Sequence, residues 1–289
     1  MRLSEAIEEV RKYIGDLGGE NWTDKRVCQA IQTAIRKVHA KAIQVNPEWQ
    51  IQTIQITPSD LETTDEGTIY KLPFYVSEIY RIMRGDIPTL IYPKLNRSSI
   101  SGYGWRMASS SPRAVLLSAN TTELQAYTDS PRNYYWLQYR GPIWDQFKGE
   151  SGNTSPATST ANWVARNLTV GKITELADSY RGAKLAFQHG GVWTTGIVLT
   201  NTSPASGEAT FTVDAAATIE ENDPIETILP FDSLLDDPIA VVAAFTLLTW
   251  EGHQRGQDRL AALYAEAMEQ VGTVAGDLGK SQDQVEIAW

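Results

Sequence analysis

The sequence predicts an α+β fold in which helix hairpins at the two ends of the chain pack as one helical bundle, with β-sandwich or barrel modules inserted between them. Three observations lead there. Apolar residues recur every three or four positions near both ends, the intervening stretch reads as short turn-bounded strands, and one C-terminal run carries no charge.

The first hairpin opens at Ser4. Leu3, Ile7, Val10, Ile14 and Leu17 form one apolar stripe, with Glu5, Glu8, Glu9, Arg11, Lys12 and Asp16 on the remaining surface and Gly18-Gly19 as the stop. Thr23 is the expected N-cap of a second helix, whose stripe is Val27, Ile31, Ala34, Val38, Ala42 and Val45, ended by Asn46-Pro47.

Beyond Pro47 the period changes to two. Ile51–Ile56, Ile69–Leu72, Glu78–Met83, Thr89–Tyr92, Gly102–Arg106, Ala114–Ser118, Glu123–Tyr127 and Tyr134–Arg140 read as strands of a first β region over residues 47–148. Residues 149–162 are rich in Gly, Ser and Thr without apolar periodicity, the signature of a linker. A second β unit, residues 163–229, is expected as a small inserted barrel with strands at Asn167–Ile173, Lys184–Gln188, Trp193–Thr200, Ala209–Val213 and Ile225–Leu229.

The second hairpin occupies residues 230–279, which join residues 1–46 in the expected bundle. Asp237 is placed as N-cap and Pro238 at the first helical position. Ile239–Trp250 is apolar on every side, which calls for burial, yet this run is short of the roughly 20 residues that cross a bilayer, so a core helix is expected. Gly252 and Gly256 allow a break, after which Leu260, Leu263, Ala267, Val271, Val274 and Leu278 supply a last stripe. Residues 280–289 read as an extended C-terminal tail.

Composition narrows the function. With 25 Lys and Arg against 35 Asp and Glu, the net charge of −10 argues against wrapping or sequence-specific contact with nucleic acid. A moderately acidic wall is compatible with DNA sliding past it. The single cysteine, Cys28, lies in the second helical pattern and reads as a core thiol. The first residues form a charged amphipathic helix with no apolar signal segment, so the chain is expected to be made and kept in a cytoplasm, without a membrane anchor.

Catalytic and metal constellations are not found by motif. His39, His189 and His253 lie far apart in sequence, HExxH and GxSxG are missing, and no Gly-rich loop has phosphate-cradling order. Asp60, Glu62, Asp65 and Glu66 before Gly67 depart from Ca²⁺-loop spacing and read as a solvated turn. Neither cofactor nor catalytic residue is assigned, and the expectation is a protein that is not an enzyme. Tyr103, Trp105, Tyr134, Tyr135, Trp136, Tyr139 and Trp144 raise sugar stacking as an alternative, though aromatics in strands more often serve cores and interfaces.

In its order of elements the chain resembles the head-to-tail adaptor (connector) proteins of tailed bacteriophages. The likeness rests on the N-terminal helix hairpin, on Gln44-Val45-Asn46-Pro47-Glu48-Trp49, and on Tyr135-Trp136-Leu137-Gln138-Tyr139-Arg140 at a strand end. It rests also on Leu229-Pro230-Phe231-Asp232 before the buried helix, and on Gly256-Gln257-Asp258-Arg259 followed by Leu263-Tyr264-Ala265-Glu266-Ala267-Met268. The resemblance implies a structural virion protein of the phage neck, made in the bacterial host cytoplasm. It would form a ring of twelve copies beneath the portal protein, meet a tail or nozzle protein below, and continue the DNA ejection channel without sequence-specific DNA binding. The alternatives are a carbohydrate-binding or glycan-cleaving tail component, and a tail-tube or head-closure subunit. After the breaker-rich Gly279–Gln284, Val285, Ile287 and Trp289 alternate with Glu286 and Ala288, and this tail is expected to dock on the portal with Trp289 as anchor.

Overall fold

The computed structural model describes residues 1–56, 61–64, 67–76, 78–84, 113–116, 121–127, 135–140, 151–159, 162–166, 183–202, 208–213, 220, 222–231 and 233–282. The fold is α+β. It divides into two compact units, one of Met1–Trp49 with Ile143–Trp289 and one of Gln50–Pro142.

In the first unit, helix α1 spans Leu3–Ile14 and helix α2 spans Asp24–Val45. The Glu5 carboxylate accepts from the Arg2 backbone N–H at 2.9 Å, supplying the acid that the start of a helix favours. α1 ends earlier than Gly18-Gly19. Gly15 takes the left-handed conformation, φ +75°, and its N–H closes on the Arg11 carbonyl. Leu17 therefore falls outside the helix and is 68% exposed, while Leu3, Ala6 and Val10 are buried. Thr23 caps α2 as expected, by accepting from the Arg26 N–H. At its other end the Asn46 side chain accepts from the Glu48 N–H and donates to the Ala275 carbonyl.

After a 3-10 turn at Ser233–Leu235, helix α3 spans Asp236–Trp250 and helix α4 spans Gln254–Gln282. α3 begins slightly before the expected cap at Asp237, with both aspartates in its first turn, where the helix dipole favours negative charge. Ten of its fifteen residues are buried. The stretch Ser233–Trp250 is long and apolar enough to cross a membrane, with mean hydropathy 1.4, but 61% of it is buried inside the protein. Its apolar sides meet α1, α2 and α4 in one core that includes Val10, Ile31, Ile35, Val38, Val242, Leu247, Leu260, Val271 and Ala275. On α4 the stripe departs from expectation at Leu263, which is 41% exposed, while Tyr264 packs on Phe245 with ring centroids 4.5 Å apart. α4 also continues through Lys280–Gln282, so the first residues of the expected extended tail are helical.

The same unit contains a closed barrel. Its strands are β8 (Ser151–Ser159), β9 (Asn162–Arg166), β10 (Lys184–His189), β11 (Val192–Asn201), β12 (Glu208–Val213) and β13 (Pro224–Thr227), in the order β10-β11-β12-β9-β8-β13, with β13 pairing back onto β10. Within the expected linker 149–162, Ser151–Ser159 and Asn162 are therefore strand. Ser151–Asn153 pair with Pro224–Glu226 on one side, and Asn153–Ser155 pair with Val164–Arg166 on the other. Threonine suits a strand as well as a loop, and backbone pairing on both edges replaces the apolar alternation that the segment lacks. Leu185 and Phe187 on β10, Val198 on β11, Ala209, Phe211 and Val213 on β12, and Ile225 on β13 fill the interior at period two. The expected strand at Asn167–Ile173 lies outside the described residues.

The first helix and the barrel are stitched together by the first few residues. The Leu229 N–H donates to the Met1 carbonyl at 3.0 Å, Arg2 and Ile228 form a β-bridge, and the Ser4 N–H donates to Glu226 Oε2 at 2.9 Å. The Arg2 guanidinium lies 4.1 Å from the centre of the Trp193 ring.

The second unit holds strands β1 (Ile51–Ile56), β2 (Leu61–Thr64), β3 (Gly67–Val76), β4 (Glu78–Arg84), β5 (Arg113–Leu116), β6 (Thr121–Tyr127) and β7 (Tyr135–Arg140). They form two antiparallel sheets, β1-β7-β4 and β2-β3-β6-β5. Tyr139 on the central β7 is buried, which pushes its phenol pKa well up. The expected strands at Thr89–Tyr92 and Gly102–Arg106 lie outside the described residues.

Candidate functional site

A cleft opens where α1 ends, α3 ends and α4 begins. The turn between α1 and α2 forms one wall and is organised by Asp16. Oδ1 accepts from the N–H groups of Glu20 and Asn21, at 3.1 and 3.2 Å, and from the Asn21 side-chain amide at 3.0 Å. Oδ2 accepts from the Trp22 N–H at 3.2 Å. Burial pushes the Asp16 carboxyl up, but these donors outweigh it and hold the pKa below the usual carboxylate range.

Arg11, itself buried, reaches across the same turn. Its guanidinium donates to the Asp16 and Trp22 carbonyls, at 3.3 and 2.9 Å, and to Asp24 Oδ1 at 2.7 Å. Gly19 makes room for it. At φ +67° a side chain is strained, and a Cβ there would lie 2.1 Å from Arg11 Nη1. The outcome is a fixed turn that presents Asn21 and Trp22 to the cleft.

The opposite wall is the break between the last two helices. Gly252, φ +70°, ends the α3 side, and α4 restarts at Gln254. Gly256 lets the two helices approach, since a Cβ there would lie 2.9 Å from Leu248 Cδ1. The His253 ring meets Trp22 edge-on at 5.9 Å. The resulting cleft, about 550 Å³, is lined by Ile14, Gly15, Asn21, Trp22, Leu248, Glu251, His253, Arg255, Gly256 and Arg259.

Its charge is biased toward cations. Glu251 is engaged by Arg26, whose guanidinium also lies 4.7 Å from the Trp250 ring. Arg259 donates to the Tyr13 carbonyl. Among the described residues Arg255 makes no hydrogen bond or ion pair, and it stands in the first turn of α4, where a cation opposes the helix dipole and no acidic residue offsets it.

Residues singled out by sequence lie elsewhere. Val285, Ile287 and Trp289 are outside the described residues. Cys28 is buried in the helical core, and burial pushes its thiol up to about 12, which keeps it protonated and inert as expected. His39 is buried on α2 and stacks on Phe231 at 6.3 Å, whereas His189 at the end of β10 places Nδ1 3.0 Å from Asp223 Oδ2. Of the acidic group near Gly67, Glu62 sits on β2 paired with Ile69, while Asp60, Asp65 and Glu66 lie outside the described residues. Tyr135, Trp136 and Tyr139 belong to β7, whereas Tyr103, Trp105, Tyr134 and Trp144 also lie outside. The sequence reading missed the cleft. The available signal was an Arg255–Arg259 pair at i, i+4 opening a helix with no acid in its first turn.

No family model matches the chain, and neither does a curated protein or a solved structure.

Proposed function

We propose that the chain is a structural adaptor subunit that joins a phage portal to the tail as a ring and continues the DNA channel. The reading rests on the resemblance in element order, and one structural observation supports it most. Helices from both ends of the chain share a single buried core, which Trp49 joins just after α2 and Leu229 and Phe231 join just before α3.

In this reading the terminal hairpins act as one bundle. A bundle of this kind is a stiff wedge, and identical wedges related by rotation make heterologous contacts that close into a ring. The β-sandwich and barrel modules would then face outward or toward the tail. The net charge of −10 suits a channel wall past which DNA slides without being held.

Mixing the purified chain with the portal protein of the same virus and imaging the complex tests the proposal. The expected result is a twelve-fold ring seated on the portal. A trimer that binds glycans, or no association with the portal at micromolar concentration, would overturn it.

A further inference from the structure

We propose that the cleft between the α1–α2 turn and the start of α4 receives residues 283–289 of a second copy of this chain. This gives the C-terminal segment a sibling subunit as partner instead of the portal, and it does not depend on the adaptor reading, because any head-to-tail assembly would use it.

Charge is the first argument. The cleft offers Arg255, Arg259 and His253, while its one acid, Glu251, is engaged by Arg26. The segment reads Asp-Gln-Val-Glu-Ile-Ala-Trp, with two acids and no base. On a molecule of net charge −10, a cationic concavity is where an acidic segment meets least repulsion. A carboxylate beside Arg255 would also relieve the unfavourable placement of that cation at the positive end of α4.

Shape and surface give the second argument. Trp22, Ile14 and Leu248 line the cleft beside the cations, so an aromatic residue flanked by acids matches it in kind. Trp289 follows Glu286 by three positions, close enough for both to enter a cleft of about 550 Å³.

Reach decides that the donor is another copy. Arg255 and Gln282 are 27 positions apart on one helix, a rise of about 40 Å. From Gln282 to Trp289 the chain advances seven residues, which span at most about 25 Å when fully extended. A chain cannot fill its own cleft. A donor segment at one end of α4 and a receiving cleft at the other make a heterologous contact, which propagates from subunit to subunit and closes when the rotation permits.

Fluorescence anisotropy tests this with a labelled peptide of residues 280–289 titrated against the full chain. Saturable binding that weakens with salt is expected, with a loss of about tenfold for the Arg255→Glu protein, which should fold normally because Arg255 is exposed and makes no hydrogen bond or ion pair among the described residues. A peptide carrying Asp283→Lys and Glu286→Lys should bind the Arg255→Glu protein better than it binds the parent. Equal binding of the original peptide to both proteins, or no binding at millimolar peptide, would overturn the inference. So would capture of the peptide by the portal protein while the full chain leaves it free.

Discussion

Asp16 is where single-residue chemistry governs this fold. It is buried, its carboxylate collects three backbone and side-chain donors on Oδ1 and one on Oδ2, and Arg11 lies alongside with Nη1 3.5 Å from Oδ2. Because those donors hold its folded pKa below the unfolded value near 3.9, Asp16 contributes stability that is present above that value and lost as pH falls through the folded pKa. Asp16→Asn keeps one acceptor but removes the charge. Urea midpoints should therefore place the variant about 1–2 kcal/mol below the parent at pH 7, with the gap narrowing as pH falls through the lowered folded pKa of Asp16. Glu5, held low by the Arg2 guanidinium beside it, loses its contribution over a similar range in both proteins and so cancels in the comparison. A gap that stayed constant across pH would show that packing, not charge, explains the loss.

At the scale of elements, the helices were legible because burial of one face leaves a period in the sequence. α2 carries its stripe at every expected position except Val45, which is partly exposed at the last turn. α3 betrayed itself by lack of charge. The end of α1 was misjudged because three glycines, Gly15, Gly18 and Gly19, all fit a helix stop; Gly15 and Gly19 both take positive φ, and it is Gly15 whose N–H closes on the Arg11 carbonyl as the cap. β8 was missed for a different reason. A strand whose order comes from backbone pairing to β9 and β13 need not display an apolar face, so Ser151–Ser159 looks like a linker in sequence. The cleft was hidden for a third reason, since residues from α1, the following turn, α3 and α4 meet only after folding. Hydrogen exchange discriminates strand from linker. Amides of residues 151–155 should exchange at least about a hundredfold more slowly than an unstructured peptide of the same sequence, because opening them requires opening the barrel.

At the scale of the unit formed by Met1–Trp49 and Ile143–Trp289, the question is whether a helical core and a barrel unfold together. Each has its own buried cluster, and those clusters share no residue. Among the described residues they are joined by the backbone bond from Leu229 to Met1, the Arg2–Ile228 bridge, the Ser4 N–H on Glu226, and the Arg2 guanidinium against Trp193. Glu226 is buried and places a carboxylate at the N-terminus of α1, where it meets one of the unpaired N–H groups and the positive end of the helix dipole. Glu226→Ala removes that acceptor and should cost about 1–3 kcal/mol, by leaving the Ser4 N–H without its acceptor. The more telling effect is on cooperativity. In the parent, far-ultraviolet circular dichroism, dominated by helix, and backbone exchange in β10–β13 should report one shared denaturation midpoint. In a variant combining Arg2→Ala with Glu226→Ala, the barrel and the helices keep their separate interiors and the two backbone contacts but lose both side-chain contacts, so the two midpoints should separate. If they remain coincident while both fall, the connection runs through covalent continuity and core packing, and the contacts of residues 1–5 are an attachment that the fold tolerates losing.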